Sequence, residues 1–294
     1  MHTIILYGSY IIFPFIFGLI FWIYKYKEAL QEKKFIFFLI ILLIFASILF
    51  IYARFIERNI IFVKTTRIET GFSAKIVVIS DIHLGIYKNS NFLQRIVKKI
   101  NKIPDADALL IPGDFTYYPP NDLETLFSPL KEIKIPIYAV LGNHDSERPG
   151  PPIQKKLEEA LKNNWVIFLH NTDNVIKNTD INILWLGDNW AWEDDIDLIN
   201  NYNSNDKLIV ITHNPDTSLF YYNNIPDITI SWHSHGGQIR LPFIYHSFIP
   251  CKGDFDQWLY DTDFGKVFVS AWVGEVWLPM RLAVPPTIEI LELY

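Results

Sequence analysis

The sequence predicts an α/β domain built on parallel strands and preceded by two transmembrane helices. Two uncharged apolar runs, residues 3–24 and 35–53, lie near the start of the 294-residue chain. Each has about the 20 residues that a helix needs to cross a bilayer. From residue 71 onward, short β-branched runs alternate with segments of helical periodicity, which is the pattern of βαβ units in a parallel sheet.

The apolar runs fit a signal peptide or a soluble core less well than they fit membrane spans. A cleaved signal peptide has a basic start and a shorter apolar core, whereas this sequence opens with Met1-His2-Thr3 and carries a second apolar run. Helices buried in a soluble core rarely extend this far without a charged residue. We therefore expect a multi-pass protein of the bacterial inner membrane.

Basic residues flank both spans and bear on the topology. Four lysines lie between the spans and four basic residues follow the second span. The positive-inside rule therefore favours the loop and the segment after the second span almost equally as the cytoplasmic side. The segment before the first span has no Lys or Arg, and the first helix usually dominates topology. The expected arrangement therefore has the loop 25–34 in the cytoplasm and the large domain outside it.

The charge distribution argues against one class of partner. Residues 1–70 carry 8 basic and 4 acidic side chains, net +4, whereas residues 71–294 carry 18 and 28, net −10. Binding of long nucleic acids depends on Lys and Arg contacts with phosphates, so no nucleic acid polymer is expected as a partner. The basic segment beside the spans favours anionic lipid head groups, although a topology signal explains it equally well.

The remaining elements follow from apolar periodicity. After an expected linker over residues 54–70, the soluble domain covers 71–294. Its first strand, 75–80, is a β-branched run, and apolar residues at helical spacing predict a helix over 92–103 with Asn89 or Ser90 as its N-cap. The same criteria predict strands at 108–111, 135–141, 165–169, 181–186, 208–212, 228–232, 266–270 and 288–293, and helices at 122–133 and 153–162.

Polar residues follow five of the predicted strands, at the point where each strand ends. They are Asp81 and His83, Asp114, Asn143-His144-Asp145, His213, and finally His233 and His235. Ligands bind at the carboxyl ends of the strands in α/β folds. Side chains alternate faces along an extended chain, so the two members of each Asp-x-His or His-x-His pair point the same way.

Each of these turns has a purely structural use when it is taken alone, because Asn and Asp favour turns. Their occurrence together, in this order and after apolar runs, favours a metal site instead. Carboxylate, amide and imidazole ligands without a thiolate suit manganese, iron or zinc and do not suit a structural cysteine site. A carboxylate has two oxygens, so Asp114 is able to bridge two divalent ions.

These motifs resemble those of the calcineurin-like metallophosphoesterases, whose pattern is D-x-H, G-D, G-N-H-D, H and G-H-x-H. The resemblance covers about residues 73–294. The motifs are most similar to those of the membrane-associated bacterial branch, which includes the YkuE and YaeI phosphodiesterases. The matching stretches are 80–85, 213–216, 235–239, Arg281-Leu282 and Pro285-Pro286. One departure is Trp232, which stands where the family has a glycine and would crowd the backbone or cover the metal mouth.

The resemblance implies a fold and a set of roles. The implied fold is a four-layer αββα sandwich that holds two divalent metal ions. The implied ligands of one ion are Asp81, His83 and His235, those of the other are Asn143, His213 and His233, and Asp114 bridges the two ions.

Two catalytic residues are expected beside the metals. Two neighbouring cations orient a phosphate and lower the pKa of a bound water, and the resulting hydroxide attacks phosphorus. His144 is expected to act on the phosphate oxygen or leaving group as a general acid or charge stabiliser. Asp145 is expected to orient His144 by accepting from its ring nitrogen.

The substrate expectation rests on the membrane anchor, which suggests a phosphoester or pyrophosphate on a lipid. A UDP-2,3-diacylglucosamine pyrophosphatase, acting on a lipid A precursor, is the first alternative and favours a cytoplasmic site. A non-catalytic metal-binding scaffold is the second. Because every ligand position of the family pattern is filled in this sequence, hydrolysis is the favoured interpretation.

Overall fold

The computed structural model of the chain describes residues 2–28, 33–145, 153–189, 194–243, 245–249, 251 and 255–294. Its helices are α1 (His2–Lys25), α2 (Lys34–Asn59), α3 (Ser90–Ile100), α4 (Leu123–Phe127) and α5 (Gln154–Asn163). Short 3-10 helices cover Ser128–Glu132, Ile196–Asn201, Pro215–Phe220, His235–Gly237 and Tyr245–Phe248. The strands are β1 (Phe62–Ile68), β2 (Ala74–Val78), β3 (Leu84–Gly85), β4 (Ala108–Ile111), β5 (Thr116–Tyr117), β6 (Ile137–Ala139), β7 (Val166–Phe168), β8 (Thr172–Val175), β9 (Asn182–Trp185), β10 (Leu208–Ile211), β11 (Ile228–Ser231), β12 (Trp258–Thr262), β13 (Gly265–Val269) and β14 (Thr287–Leu293).

The first two helices are long and apolar enough to cross a membrane. They contain 24 and 26 residues, and 0% and 11% of their most apolar windows are buried inside the protein. Core helices of a soluble domain bury their apolar surface, so these two helices do not belong to the core. The helix α2 ends in a π-helical turn, Tyr52–Ile56, and a 3-10 turn, Glu57–Asn59.

Two six-stranded sheets form the centre of the domain. Their strand orders are β1-β14-β2-β4-β6-β7 and β12-β13-β11-β10-β9-β8. The neighbours β2, β4, β6 and β7 run parallel in the first sheet, and β9, β10, β11 and β13 run parallel in the second. The carboxyl ends of the parallel strands of each sheet therefore lie together at one edge.

Strand periodicity decides which side chains face which layer. Ile76 and Val78 of β2 pack into the core between the two sheets, whereas Val77 lies in the core under helices α3, α4 and α5. In β10, Ile209 faces the second sheet's inner side and Val210 packs outward near Ile199 of a 3-10 helix. This alternation gives four layers, which confirms the expected αββα arrangement.

The expected linker over 54–70 has to be corrected. Residues up to Asn59 continue α2, and Phe62–Ile68 forms β1, an edge strand that runs parallel to β14. The segment is strand-forming because Val63, Thr65 and Thr66 are β-branched and Ile68 is buried against the sheet core. Only two residues separate the end of α2 from β1.

Another boundary also differs from expectation. The helix predicted over 122–133 is an α-helix only to Phe127 and then tightens into the 3-10 segment Ser128–Glu132. Pro129 explains the change, because a proline has no backbone N–H to donate within an α-helix.

The end of α2 is bound to the domain by a buried charge network. Arg58 contacts Glu275 through Nε (2.8 Å) and Nη2 (2.6 Å), and Lys88 Nζ is 3.2 Å from the same carboxylate. All three side chains are nearly inaccessible to solvent. Two backbone N–H groups add to the attachment: that of Val284 donates to the Glu57 carboxylate at 2.7 Å, and that of Arg281 donates to Ala53 O at 3.0 Å.

We predict that Glu275→Gln destabilises the protein by about 3–5 kcal/mol, because it leaves two buried cations without their counter-charge. The matched control is Glu292→Gln, whose exposed carboxylate is 3.9 Å from both Arg67 and Lys75. Its cost should stay below about 1 kcal/mol. Chemical denaturation of the detergent-solubilised chain, followed by tryptophan fluorescence, measures both. Equal effects of the two substitutions would contradict the role given to Glu275.

Candidate metal centre

The sequence-predicted site residues lie at the edge where the parallel strands end. Asp81 follows β2, Asp114 follows β4, Asn143 follows β6, His213 follows β10 and His233 follows β11. All five side chains are buried. The two sheets face each other, so the turns after three strands of one sheet meet the turns after two strands of the other.

The backbone at this edge adopts conformations that side-chain-bearing residues rarely use. Asp81, His83, Asp114 and His233 have positive φ angles of 45°, 47°, 53° and 61°. Such conformations cost of order 1–3 kcal/mol each and persist where the surrounding structure imposes them. They turn the polar side chains away from the strand direction and toward one another.

Close backbone approach explains one glycine of the site. A Cβ atom at Gly142 would lie 2.2 Å from Oδ1 of Asp114 and 2.7 Å from its backbone nitrogen. No larger residue fits between the turns that follow β4 and β6. The glycine therefore permits the close approach of Asp114 to the Asn-His-Asp turn.

Asp114 occupies the centre of the cluster. Its Oδ2 is 3.7 Å from Nε2 of His83 and 3.6 Å from Nε2 of His213, and its Oδ1 accepts from the backbone N–H of His144 at 3.0 Å. The two distances to imidazole are too long for hydrogen bonds. They are compatible with a carboxylate that shares cations with ligands on both of its sides.

One group of possible ligands lies on either side of Asp114. On one side, Asp81 Oδ1 is 3.8 Å from His83 Nε2. On the other, His213 Nε2 is 2.9 Å from Asn143 Oδ1 and 3.0 Å from His233 Nδ1. Ligand atoms of Asp81 from the first group, His213 from the second and Asp114 between them all lie within 4.8 Å of one another, so the two groups are adjacent.

The backbone of His235 lies in the 3-10 turn His235–Gly237, beside the site. Its side chain falls outside the part of the chain that the structure describes. The expected contribution of His235 to the site therefore stays a prediction.

Two imidazoles have their second ring nitrogen near a backbone carbonyl. Nδ1 of His83 is 3.3 Å from Thr116 O, and Nδ1 of His213 is 3.3 Å from Pro112 O. In His83, a proton placed on Nδ1 leaves the lone pair of Nε2 directed toward Asp114 and available to a cation. The geometry therefore suits His83 as a metal ligand.

Burial controls the charge of the site. It raises the pKa of Asp81 and of Asp114 well above the usual range, and for Asp114 the neighbouring carboxylate of Asp81 raises it further. Burial also lowers the pKa of the imidazoles of His83, His213 and His233, and it lowers that of His233 to about 3. The site therefore combines neutral nitrogen donors with carboxylates that repel one another, and divalent cations would neutralise it.

Asp145 is buried beneath the site and holds the backbone on either side of it. Its two oxygens accept hydrogen bonds from the backbone of Phe115 (2.9 Å), Thr116 (3.1 Å) and Gly142 (3.3 Å) and from the Thr116 hydroxyl (3.0 Å). It therefore fixes the turns after β4 and β6, and the expected acceptance from the ring of His144 stays a prediction. Burial raises its pKa to about 6.

His144 lies at the opening of the cluster. Its ring centroid is 5.1 Å from that of His83 and 5.8 Å from that of Tyr117, and the residue is 9% exposed. The ligand candidates behind it are less accessible. His144 is therefore the most accessible side chain among the described residues of the site.

Trp232 neither covers the mouth of the site nor faces solvent. It is fully buried in the core between the sheets, and its ring centroid is 5.5 Å from that of His213. Its Nε1 contacts Nδ1 of His213. The tryptophan thus supports a candidate ligand from behind, which the sequence did not indicate.

The loop after β13 also belongs to the site, although sequence reasoning does not single it out. Val273 N donates to Ser80 O at 3.1 Å, and Gly274 N donates to Asp81 O at 2.8 Å. A Cβ at Gly274 would lie 2.3 Å from Asp81 O. This loop fixes the first ligand turn, and a lone glycine shortly after a predicted strand is the one signal that could have identified it.

Comparisons with known proteins agree with this geometry. A calcineurin-like phosphoesterase domain matches residues 74–273. An uncharacterised metallophosphoesterase of Campylobacter jejuni is 32% identical over 74% of this chain and 59% of its own length. The phosphodiesterase YaeI of Escherichia coli is 27% identical over 74% of this chain and 82% of its own. The UDP-2,3-diacylglucosamine pyrophosphatase LpxG of Chlamydia muridarum is 28% identical over 66% of this chain and 74% of its own. The match therefore spans less than two thirds of the Campylobacter protein.

We predict that Asp114→Asn abolishes stabilisation by metal without destabilising the metal-free protein. The substitution removes a buried charge next to Asp81 but keeps an oxygen for the His144 N–H. With Mn²⁺ at 100 times its dissociation constant, the parent should gain about 2.7 kcal/mol, or roughly 5–10 °C in melting temperature.

Thermal unfolding with Mn²⁺ and with chelator measures the gain, and Asp263→Asn, at an exposed turn, is the control that should behave like the parent. A variant at position 114 that gains as much as the parent would contradict the metal assignment.

Proposed function

Because this chain belongs to the calcineurin-like phosphoesterase family, we propose that it is a membrane-anchored phosphohydrolase with two divalent metal ions. It would cleave a phosphoester or pyrophosphate bond, with a lipid-linked molecule as substrate. The observation that carries the proposal is the position of Asp114, whose Oδ2 lies 3.7 Å and 3.6 Å from the imidazoles of His83 and His213.

The proposed ligands divide into two groups around Asp114. The first ion would be held by Asp81, His83 and His235, and the second by Asn143, His213 and His233. Asp114 would contribute to both. When bound, the two ions would polarise the phosphoryl group and lower the pKa of a water molecule. Manganese, iron and zinc all suit this donor set.

The protein's own residues would bind and orient the phosphate. His144 would donate to a phosphoryl oxygen or to the leaving group, because it lies at the opening of the cluster and packs against His83. Its backbone N–H holds Asp114, so one residue links the bridging carboxylate to the substrate. Asp145 would orient His144 by accepting from its ring nitrogen, and it also fixes the turns that carry Asp114 and His144.

Two observations support a lipid-linked substrate. The helices α1 and α2 are long and apolar enough to place the domain at a membrane. One similar protein is named a phosphodiesterase and another a UDP-2,3-diacylglucosamine pyrophosphatase. A pyrophosphatase that acts on a lipid A precursor is therefore the second candidate function, and it requires a cytoplasmic active site.

A binding scaffold without activity is the alternative of a different class. The described residues argue against it, because every sequence-predicted metal or catalytic side chain among them is buried at the same edge of the sheets. The chain would reside in the bacterial inner membrane with two spans. A reporter fused to the C-terminus distinguishes a cytoplasmic from an extracytoplasmic domain.

We predict that His144→Ala lowers the turnover of bis-p-nitrophenyl phosphate by about 10²–10⁴-fold, the usual contribution of an acid–base group. Manganese binding should be retained, because His144 is not a proposed ligand. The assay uses the purified full chain in detergent with Mn²⁺, and chelator should abolish activity of the parent.

The matched control is His170→Ala, which changes an exposed histidine outside the cluster and should leave turnover unchanged. Full activity of the His144 variant would remove this residue from the chemistry. A parent without any Mn²⁺-dependent hydrolysis of this diester or of a lipid pyrophosphate would favour the scaffold.

A further inference from the structure

Both membrane-length helices dock at the metal edge of the sheets. The end of α2 binds the loop after β13 through Arg58 and Glu275. The same loop donates from Gly274 N to Asp81 O at 2.8 Å. One short segment of chain therefore contacts the end of α2 on one side and the first ligand turn on the other.

The start of α1 reaches the same edge. Nδ1 of His2 is 3.0 Å from the hydroxyl of Tyr87, and its ring centroid is 5.5 Å from that of Tyr117 and 4.7 Å from that of Tyr118. Tyr117 in turn lies 5.9 Å from His83 between ring centroids. A single aromatic residue thus separates α1 from the metal cluster.

Exposed apolar side chains surround these docking points. We call them the helix-proximal rim, and each is between 40% and 59% exposed: Ile60, Phe62, Val63, Tyr118, Trp277 and Leu278. The first three directly follow α2, and β1 begins at the metal edge because it runs antiparallel to β2 across β14. The backbone of Trp277 is held beside α1. Its carbonyl accepts from the Tyr87 hydroxyl, and its backbone N–H donates to the Tyr117 hydroxyl.

We propose that the helix-proximal rim rests in the head-group region of the bilayer, so that the metal edge of the domain faces the membrane surface. Aromatic residues such as Trp277 and Tyr118 favour this region because they combine an apolar ring with a polar group. Continuity with α1 and α2 selects a lipid surface as the occupant. The identity of the hydrolysed phosphate rests on the proposed function, whereas the position of the rim does not.

Rigid attachment distinguishes this arrangement from a tethered domain. A flexible linker would let the domain tumble, but only two residues separate Asn59 from β1, and Arg58, Lys88 and Glu275 are buried together. The orientation of the domain is thus set by the helices.

Gln238 connects the rim to the metal site. Its Nε2 donates to the carbonyls of Val276, Leu278 and Met280 at 3.1, 2.8 and 3.1 Å, and its Oε1 accepts from Val276 N at 3.1 Å. It closely follows the His-Ser-His turn in the chain. Gln238 therefore attaches the rim residues Trp277 and Leu278 to the segment that follows this turn.

Brominated-lipid quenching of tryptophan fluorescence tests the position of the rim. The full chain and its Trp277→Phe variant are reconstituted in phosphatidylcholine vesicles with and without brominated acyl chains. The difference between the two proteins isolates the emission of Trp277, and we expect brominated lipid to quench most of it.

The matched control is Trp165→Phe. Trp165 is 67% exposed and directly precedes β7. It therefore lies at the edge of the first sheet opposite to the metal edge, and its emission should not be quenched. Equal quenching of the two residues, or none at Trp277, would overturn the proposal.

A second measurement tests the direction in which the site opens. The same vesicles are supplied with phosphatidyl-p-nitrophenol, either in the protein's own bilayer or in separate vesicles. Hydrolysis should be more than about tenfold faster in the shared bilayer, because confinement raises the effective concentration.

Equal rates in the two arrangements would overturn a membrane-facing site. Soluble bis-p-nitrophenyl phosphate, assayed in parallel, reports on the proposed function alone. If neither the soluble diester nor the lipid substrate is hydrolysed while brominated lipid still quenches Trp277, the proposed hydrolase function is refuted. The proposed position of the rim would then still be supported.

Discussion

The structure depends on one constraint, which is that the Asp114 carboxylate lies between two imidazoles in a buried site. A buried carboxylate without a counter-charge is costly, and here Asp81 raises the pKa of Asp114 beyond the effect of burial itself. Divalent cations would neutralise the cluster. The left-handed backbone at Asp81, His83 and Asp114 and the glycine at 142 follow from the need to bring these groups together.

The two-sheet architecture satisfies that constraint. Parallel strands end at a common edge, so residues far apart in sequence meet there without long loops. The same edge receives the ends of both membrane-length helices, through Glu275 on one side and His2 on the other. The membrane-length helices and the candidate metal centre therefore share one set of loops, and the loop after β13 contacts both.

Much of the site is predictable because it follows apolar runs of strand periodicity. That rule alone locates the turns at Asp81, Asp114 and His213. The part of Asp145 in fixing the turns is not predictable, because most of its donors are backbone N–H groups that no side-chain pattern records. The strand inside the expected linker escapes prediction for a related reason: residues 62–68 pair with β14, more than 200 residues away in sequence, and long-range pairing overrides local appearance.

The proposed chemistry requires two cations that share Asp114, and electron paramagnetic resonance of the protein loaded with two equivalents of Mn²⁺ tests this most directly. Two Mn²⁺ ions about 3.5–4 Å apart interact magnetically, so the parent should give an exchange-coupled multiline spectrum. Asp114→Ala should give only the six-line signal of isolated ions. A parent spectrum that contains only isolated or unbound Mn²⁺ would contradict the shared site.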